Sequence, residues 1–440
     1  MIKVKRTHEQ INSGAGQVLV GDLLERFRFD ANLDALAVCE NPNPAVPNSA
    51  CVRSYVGCLA EGRTAFAEVD SRRQDPLFGE ALKLDRVPAE GTLRQRFDQA
   101  EGLFDEAVCD GNAGFLAGCQ LGTVDTANGP RIPVDVDVSC LNNSRTTKEG
   151  VQYTYRGYDG FAPIFAYVGT EGYMLLNELR PGSQHCQNGT PGFLARCLDA
   201  LEELSCVRPL FRMDSGNDSA DNLALLEDRA DYVIKRNRRS ESPEQWREIA
   251  RECGEAHQPR PGKTVWRGSV WKAVPDGDGD ELAIRVVFEV TERTVHANGQ
   301  PLLMPKVSAD TYWTSLENDT PQRIIQLYRD HGTSEQYHSE FKGEIGLERL
   351  PSGKLATNRT VMLLGMVAYN ILRRIGSDAL AGTEAVPVQQ EVSRRRIRKV
   401  IQDLVRKACK FVRSGRAKFI RIRDGDPWTP VFERLHAAYA

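Results

Sequence analysis

The chain has no C-x-x-C pair, and its 11 cysteines are odd in number and scattered over 440 residues. That pattern excludes a disulfide framework and a structural zinc site, and leaves reduced, mostly buried thiols as the expectation. The 7 histidines show no H-x-x-x-H spacing, and no serine or cysteine sits in a nucleophile setting. Long apolar runs are missing too. The longest, VMLLGMVAYNIL from Val361 to Leu372, is about half the length of a membrane span. The opening MIKVKRTHEQ has no apolar signal-peptide region behind its basic residues. A cytoplasmic protein without a membrane partner is therefore expected. Net charge is only −3, so contact with a polyanion must come from local patches. Gly14-Ala-Gly16 lacks the lysine and the strand of a phosphate loop. The run Asp276-Gly-Asp-Gly-Asp280 lacks the glycine and final glutamate of a calcium loop, which leaves a hairpin turn.

What is present is ordinary globular composition, 41% hydrophobic and 27% charged, at a length that implies two to four domains. Residues 1–128 read as short helices: GDLLERF, PLFGEALKL and TLRQRFDQAEGLFDEAV place apolar residues three or four apart. From 129 to 237 the texture is strand, strand, strand, helix, strand, helix, strand, an α/β pattern with a mixed sheet. Residues 238–315 read as a strand-rich, aromatic insertion with D-G and N-G turns. Helical texture returns over 316–375. The region 376–440 is basic and reads as helical (VIQDLVRKACKFV), with thirteen basic residues against three acidic ones between Glu391 and Asp424. Such a one-sided block suggests phosphate contacts, and Arg394, Arg395, Arg396, Arg398 and Lys399 open it.

Three places set an acid where a metal ion can be held. In VDVDVS, period-two geometry turns Asp135 and Asp137 to the same face of a strand; a polar edge strand is the alternative. Asp214 closes the apolar strand PLFRM, at the carboxyl end where ligands gather in α/β sheets. The third acid lies in Y-R-D-H-G-T-S-E-Q-Y-H-S-E-F-K, residues 328–342. There Gly332 is expected to break a helix and Thr333 to cap the next one in a box with Gln336, which fixes Glu335 in a first turn. Glu340 and Glu344 fall on other faces and read as solvated. Carboxylates converging from separate elements favour Mg²⁺, and two such ions can drive phosphodiester displacement.

Tyr328, His331, Glu335 and Lys342 stand at the spacings of the Y-x2-R-x3-E-x6-K signature. In this the chain resembles the DDE transposases of bacterial insertion sequences, with histidine in place of the usual arginine. Asp137, in D-V-S, resembles the first acid of such enzymes better than Asp135, and Arg212-Met213-Asp214-Ser215-Gly216 resembles the second. The resemblance implies an RNase H-like mixed sheet with helices on both faces, interrupted by a β-rich insertion and flanked by helical regions. It further implies Asp137, Asp214 and Glu335 as catalytic metal ligands for two Mg²⁺ ions, with Mn²⁺ able to substitute. Tyr328, His331 and Lys342 become expected contacts to DNA phosphates. Trp266, Trp271 and Trp313 read as core of the insertion, with Trp313 the one that could instead stack a flipped base. The implied partners are double-stranded DNA, as element ends and as target, and a second copy of the chain on that DNA. A transposase-derived DNA-binding protein without catalysis, or a metal-dependent nuclease without strand transfer, are the alternatives.

Overall fold

The computed structural model describes residues 11–41, 44–275, 281–296, 298–382, 386–388 and 392–440. The Asp276–Asp280 turn lies outside them, as does the MIKVKRTHEQ opening.

The alternating stretch after Gly129 forms strand β1 (Gly129–Val138), followed by β2 (Ile164–Val168) and β3 (Tyr173–Glu178). Helix α1 (Thr190–Leu204) then leads to β4 (Pro209–Met213), and α2 (Ala220–Glu227) to β5 (Asp231–Lys235). The stripe Phe193, Leu194, Cys197, Leu198 and Leu201 buries one face of α1. Ser219 caps α2 by accepting from the Asn222 N–H at 3.3 Å. The strands lie in the order β3-β2-β1-β4-β5. β1, β2 and β3 pair antiparallel, whereas β1–β4 and β4–β5 are parallel. This is an RNase H-like mixed sheet.

The insertion does not open with a strand. SPEQWREIAREC forms helix α3 (Pro243–Cys253), started by a capping box in which Ser242 and Gln245 satisfy each other's backbone N–H. Its apolar residues Trp246, Ile249, Ala250 and Cys253 keep a helical period, but a short one at the head of a strand-rich stretch. Four strands follow: β6 (Glu255–Arg260), β7 (Lys263–Pro275), β8 (Glu281–Val295) and β9 (Pro301–Thr314). They continue the core sheet, because β9 pairs antiparallel with β5, Trp313 opposite Ile234. One hydrogen-bonded ladder thus runs β6-β7-β8-β9-β5-β4-β1-β2-β3.

Helix α4 (Pro321–Asp330) and α5 (Ser334–Ser339) come next, then α6 (Leu355–Leu380). The apolar run from Val361 lies inside α6, buried on nearly all sides between β3 and the N-terminal helices. Asn370 of α6 satisfies the bare backbone of Met174, accepting from its N–H and donating to its carbonyl, each at 2.8 Å. Among the described residues no helix is long and apolar enough to cross a membrane.

Both flanks depart in detail from the periodicity. TLRQRFDQAEGLFDEAV is not one helix but two, Glu90–Ala100 and Asp105–Ala117, broken where Glu101 and Gly102 take positive φ. In the C-terminal region, a first helical stretch ends at Val405, the Cys409–Ser414 and Ala417–Ile422 strands form a hairpin, and a helix, Thr429–Tyr439, follows. Lys410 and Arg413, and Lys418 and Arg421, stand three apart around the apolar pairs Phe411-Val412 and Phe419-Ile420, a spacing that suits a helix as readily as a strand.

Candidate active site

In the register of β1 against β4, Val136 faces Met213. The next residues, Asp137 and Asp214, therefore sit side by side at the carboxyl ends of neighbouring parallel strands. Both line a cleft of about 810 Å³, whose rim also carries Tyr328, His331 and Glu335. Asp137 is buried except for a fraction of its carboxylate, which accepts from the Val138 N–H at 2.8 Å. Asp214 closes a single 3₁₀ turn, its Oδ1 accepting from the Gly216 N–H at 3.1 Å and from Asn217 Nδ2 at 3.0 Å.

The two acids are driven apart electrostatically. Burial, and then the charge of Asp137, push the Asp214 carboxyl above the usual carboxylate range. Burial acts on Asp137 in the same sense, but His338 and the charge of His331 outweigh it and hold Asp137 low. His338 Nε2 lies 3.3 Å from Asp137 Oδ2, without the alignment of a hydrogen bond. Its Nδ1 meets the Tyr167 hydroxyl at 3.3 Å. Nothing in the signature marks His338; its only signal was its place three residues after Glu335, on the same helical face.

Asp135 has a different setting. It is buried, and Arg212 grips it at two points, Nε to Oδ1 at 2.7 Å and Nη2 to Oδ2 at 2.8 Å. Arg212 Nη1 also donates to the Leu327 carbonyl of α4 at 3.1 Å. His331 Nδ1 stands 2.9 Å from Asp135 Oδ1. Burial opposes ionisation, but Arg212 and His331 together hold Asp135 below its usual range. Burial likewise disfavours a charged His331, yet Asp135 holds the ring above its usual pKa.

The helix carrying the third acid is built otherwise than its composition suggested. Gly332 does not break it: His331–Thr333 form a 3₁₀ turn that joins α4 to α5, and Thr333 makes no side-chain cap. Backbone conformation stays right-handed helical through the joint, so a cap has no free N–H to satisfy. Glu335 is exposed in the first turn of α5 and lines the cleft. Among the described residues, no group of three or more His, Cys, Asp and Glu side chains is gathered closely enough to hold a metal ion. Helix α5 continues into a π-helical turn, Glu340–Ile345, that contains Lys342. Its Nζ donates to the Cys140 carbonyl at 2.7 Å, just beyond β1, and burial pushes the ammonium pKa down.

Several expected contacts lie elsewhere. Trp313 is 6% exposed, its Nε1 donating to Asp218 Oδ1 at 2.8 Å and its ring 4.9 Å from the Arg236 guanidinium. A ring so enclosed on a central strand has no free face for a base. Glu340 is not solvated but fully buried, paired with Arg373 and, at 2.7 Å, with Arg394. Glu344 pairs with Arg396 at 2.6 Å. Arg395 pairs with Asp403 and lies 4.0 Å from the Trp428 ring. Three of the five named arginines and lysines of the tail thus face protein acids, whereas Arg398 and Lys399 are exposed.

The sequence profile of the family described as Transposase DDE domain group 1 matches residues 1–439. The chain belongs to that family. A solved structure with some likeness to this transposase is that of a piggyBac transposase synaptic complex with hairpin DNA, determined by cryo-EM. The two are 12% identical, with a TM-score of 0.43 over 88% of this chain and 80% of that one. No curated protein sequence matches the transposase.

Proposed function

We propose that the cleft cuts DNA at the ends of a mobile element and joins the freed 3′-hydroxyls to target DNA, with Asp137, Asp214 and Glu335 as metal ligands. The observation that carries this reading is the β1–β4 register, which sets two acids side by side on a cleft that Glu335 also lines. The donors fit a hard cation, being carboxylate oxygens, and a cation between Asp137 and Asp214 would relieve the repulsion that lifts Asp214. Two Mg²⁺ ions bound there, or Mn²⁺ in their place, would supply an activated attacking oxygen and a stabilised leaving one.

The chain's own residues have separate tasks. His338 and His331 keep Asp137 ionised. Arg212 ties β1 to the end of α4, ahead of the turn that carries Glu335. Tyr328 lines the cleft as a contact for backbone phosphate, and Lys342 holds the chain after Asp137. Double-stranded DNA is the partner, both as element ends and as target. Joining two ends requires a homodimer on DNA, with residues 1–128 serving end recognition and subunit contact. The site of action is the nucleoid.

The test is incubation with DNA carrying candidate ends in Mg²⁺, scored for joined products. Cutting and joining are expected, and both should stop in chelator and in Asp137→Ala, Asp214→Ala and Glu335→Ala. Ends bound but never cut with any divalent metal would move the reading to a DNA-binding protein. Cut ends never joined would make it a nuclease.

A further inference from the structure

The cleft has an aromatic rim that none of these roles uses. Among the described residues few large apolar side chains are exposed, and two of them, Tyr153 at 68% and Tyr155 at 64%, line this cleft. Both come from one small hairpin, in which Gln152–Tyr153 pair with Asp159–Phe161. Its turn is closed by the Gly157 N–H donating to the Thr154 carbonyl at 3.0 Å, with Gly157 at φ 85°, a conformation that suits glycine. Thr154 between the two tyrosines is 1% exposed and turned inward, its hydroxyl donating to the Tyr158 carbonyl at 2.7 Å.

Tyr155 is not free to fold away. Its hydroxyl donates to the Val138 carbonyl at 2.9 Å, immediately after Asp137, so the phenol is tethered to the end of the strand that carries the first acid. The Arg156 guanidinium lies 5.3 Å from the Tyr155 ring, and Arg156 and Glu335 line the same cleft. An exposed aromatic surface tethered beside Asp137 and backed by a guanidinium, in the cleft that Glu335 also lines, has the makings of a nucleobase platform. Bases stack on such surfaces whatever their sequence, and arginine adds attraction for the attached phosphate.

We propose that Tyr155, flanked by Tyr153, stacks an unpaired nucleobase of the DNA strand next to the phosphate being cut, with Arg156 holding that nucleotide's phosphate. This rests on the DNA-cutting reading of the cleft. It places base recognition on the hairpin that follows β1, not on the insertion, where Trp313 is enclosed.

The test uses the full chain with Ca²⁺ in place of Mg²⁺, and two duplexes of one sequence. One is blunt; the other has a three-nucleotide single-stranded extension whose first unpaired base is 2-aminopurine. The wild type is expected to bind the extended duplex more tightly and to quench the 2-aminopurine. Tyr155→Leu should lose the quench and about ten-fold or more in affinity for the extended duplex, with binding to the blunt duplex unchanged. Tyr153→Leu should show a smaller loss of the same kind. Tyr155→Phe keeps the ring without the tether and should retain most of the quench. Loss in Tyr155→Phe equal to that in Tyr155→Leu would reduce Tyr155 to a brace for Val138 and overturn the proposal. So would equal binding of both duplexes, with no quench, by a wild-type protein that cuts DNA in Mg²⁺. A wild type that cuts no DNA at all would instead overturn the reading of the cleft.

Discussion

Arg212 grips Asp135 with two nitrogens, at 2.7 and 2.8 Å, while Asp137, two residues along the same strand, keeps an oxygen open to the cleft. Period two puts both acids on one face; the partner opposite each decides what it does. Asp135→Ala should strand the buried Arg212 guanidinium, at about 3–5 kcal/mol, and show as a large fall in Tm. Asp137→Ala should barely move Tm, yet abolish DNA cutting. Thermal melts beside cleavage assays check the pair; a stable Asp135→Ala that binds DNA normally but cannot cut would reverse the assignment.

His331 gives a pH signature. Its folded pKa is raised by Asp135, so its stabilisation is complete below the unfolded value of about 6.5. That stabilisation is lost as pH rises through the higher folded value. The unfolding free-energy difference between wild type and His331→Gln, followed by denaturant titration, should be largest near pH 6, on the order of 1–2 kcal/mol, and shrink on the alkaline side. A difference that grows with pH would show that the ring is held neutral.

Trp313→Phe keeps most of the apolar bulk but removes the donor to Asp218. A buried carboxylate oxygen left without that partner should lower stability by roughly 1–3 kcal/mol. Affinity for DNA ends, measured below the melting range, should not change. Loss of affinity without loss of stability would return this ring to the DNA.

The basic tail should divide by partner. Arg398→Ala with Lys399→Ala should weaken binding to any DNA and flatten the plot of log affinity against log salt by about two units if both meet phosphate. Arg394→Ala should act on stability instead, because it uncovers Glu340 inside the protein. Salt titrations and melts on the two variants separate these outcomes.

The core of the fold was legible because its signals are local. Valine alternation in β1, the apolar stripe of α1 and the acid closing PLFRM all sit within short windows. What escaped was set by residues far apart in sequence. Glu340 reads as a surface acid until Arg373 and Arg394 arrive from 33 and 54 residues away. Trp313 reads as insertion core with a second use as a base platform, until β5 and β8 close on either side of it and leave only the core. Helix α3 was missed for another reason: Trp246, Ile249, Ala250 and Cys253 do keep a helical period, but over barely two turns at the head of a long strand-rich stretch. His338 and the Tyr153–Tyr155 pair carried no signal in composition, since their meaning comes from Asp137 beside them.

The ladder that runs from β6 to β3 makes the insertion and the core one mechanical body. Swinging the insertion toward a substrate would mean rupturing the pairs Val233–Thr314, Ile234–Trp313 and Lys235–Tyr312, a whole rung set at once. A sheet resists such shear far better than a joint between helices does. Any movement that brings Glu335 toward the two strand acids would therefore fall to the helical side, at the 3₁₀ turn His331–Thr333, where a twist of a few residues would displace Glu335 while Asp137 and Asp214 stay seated on the plate.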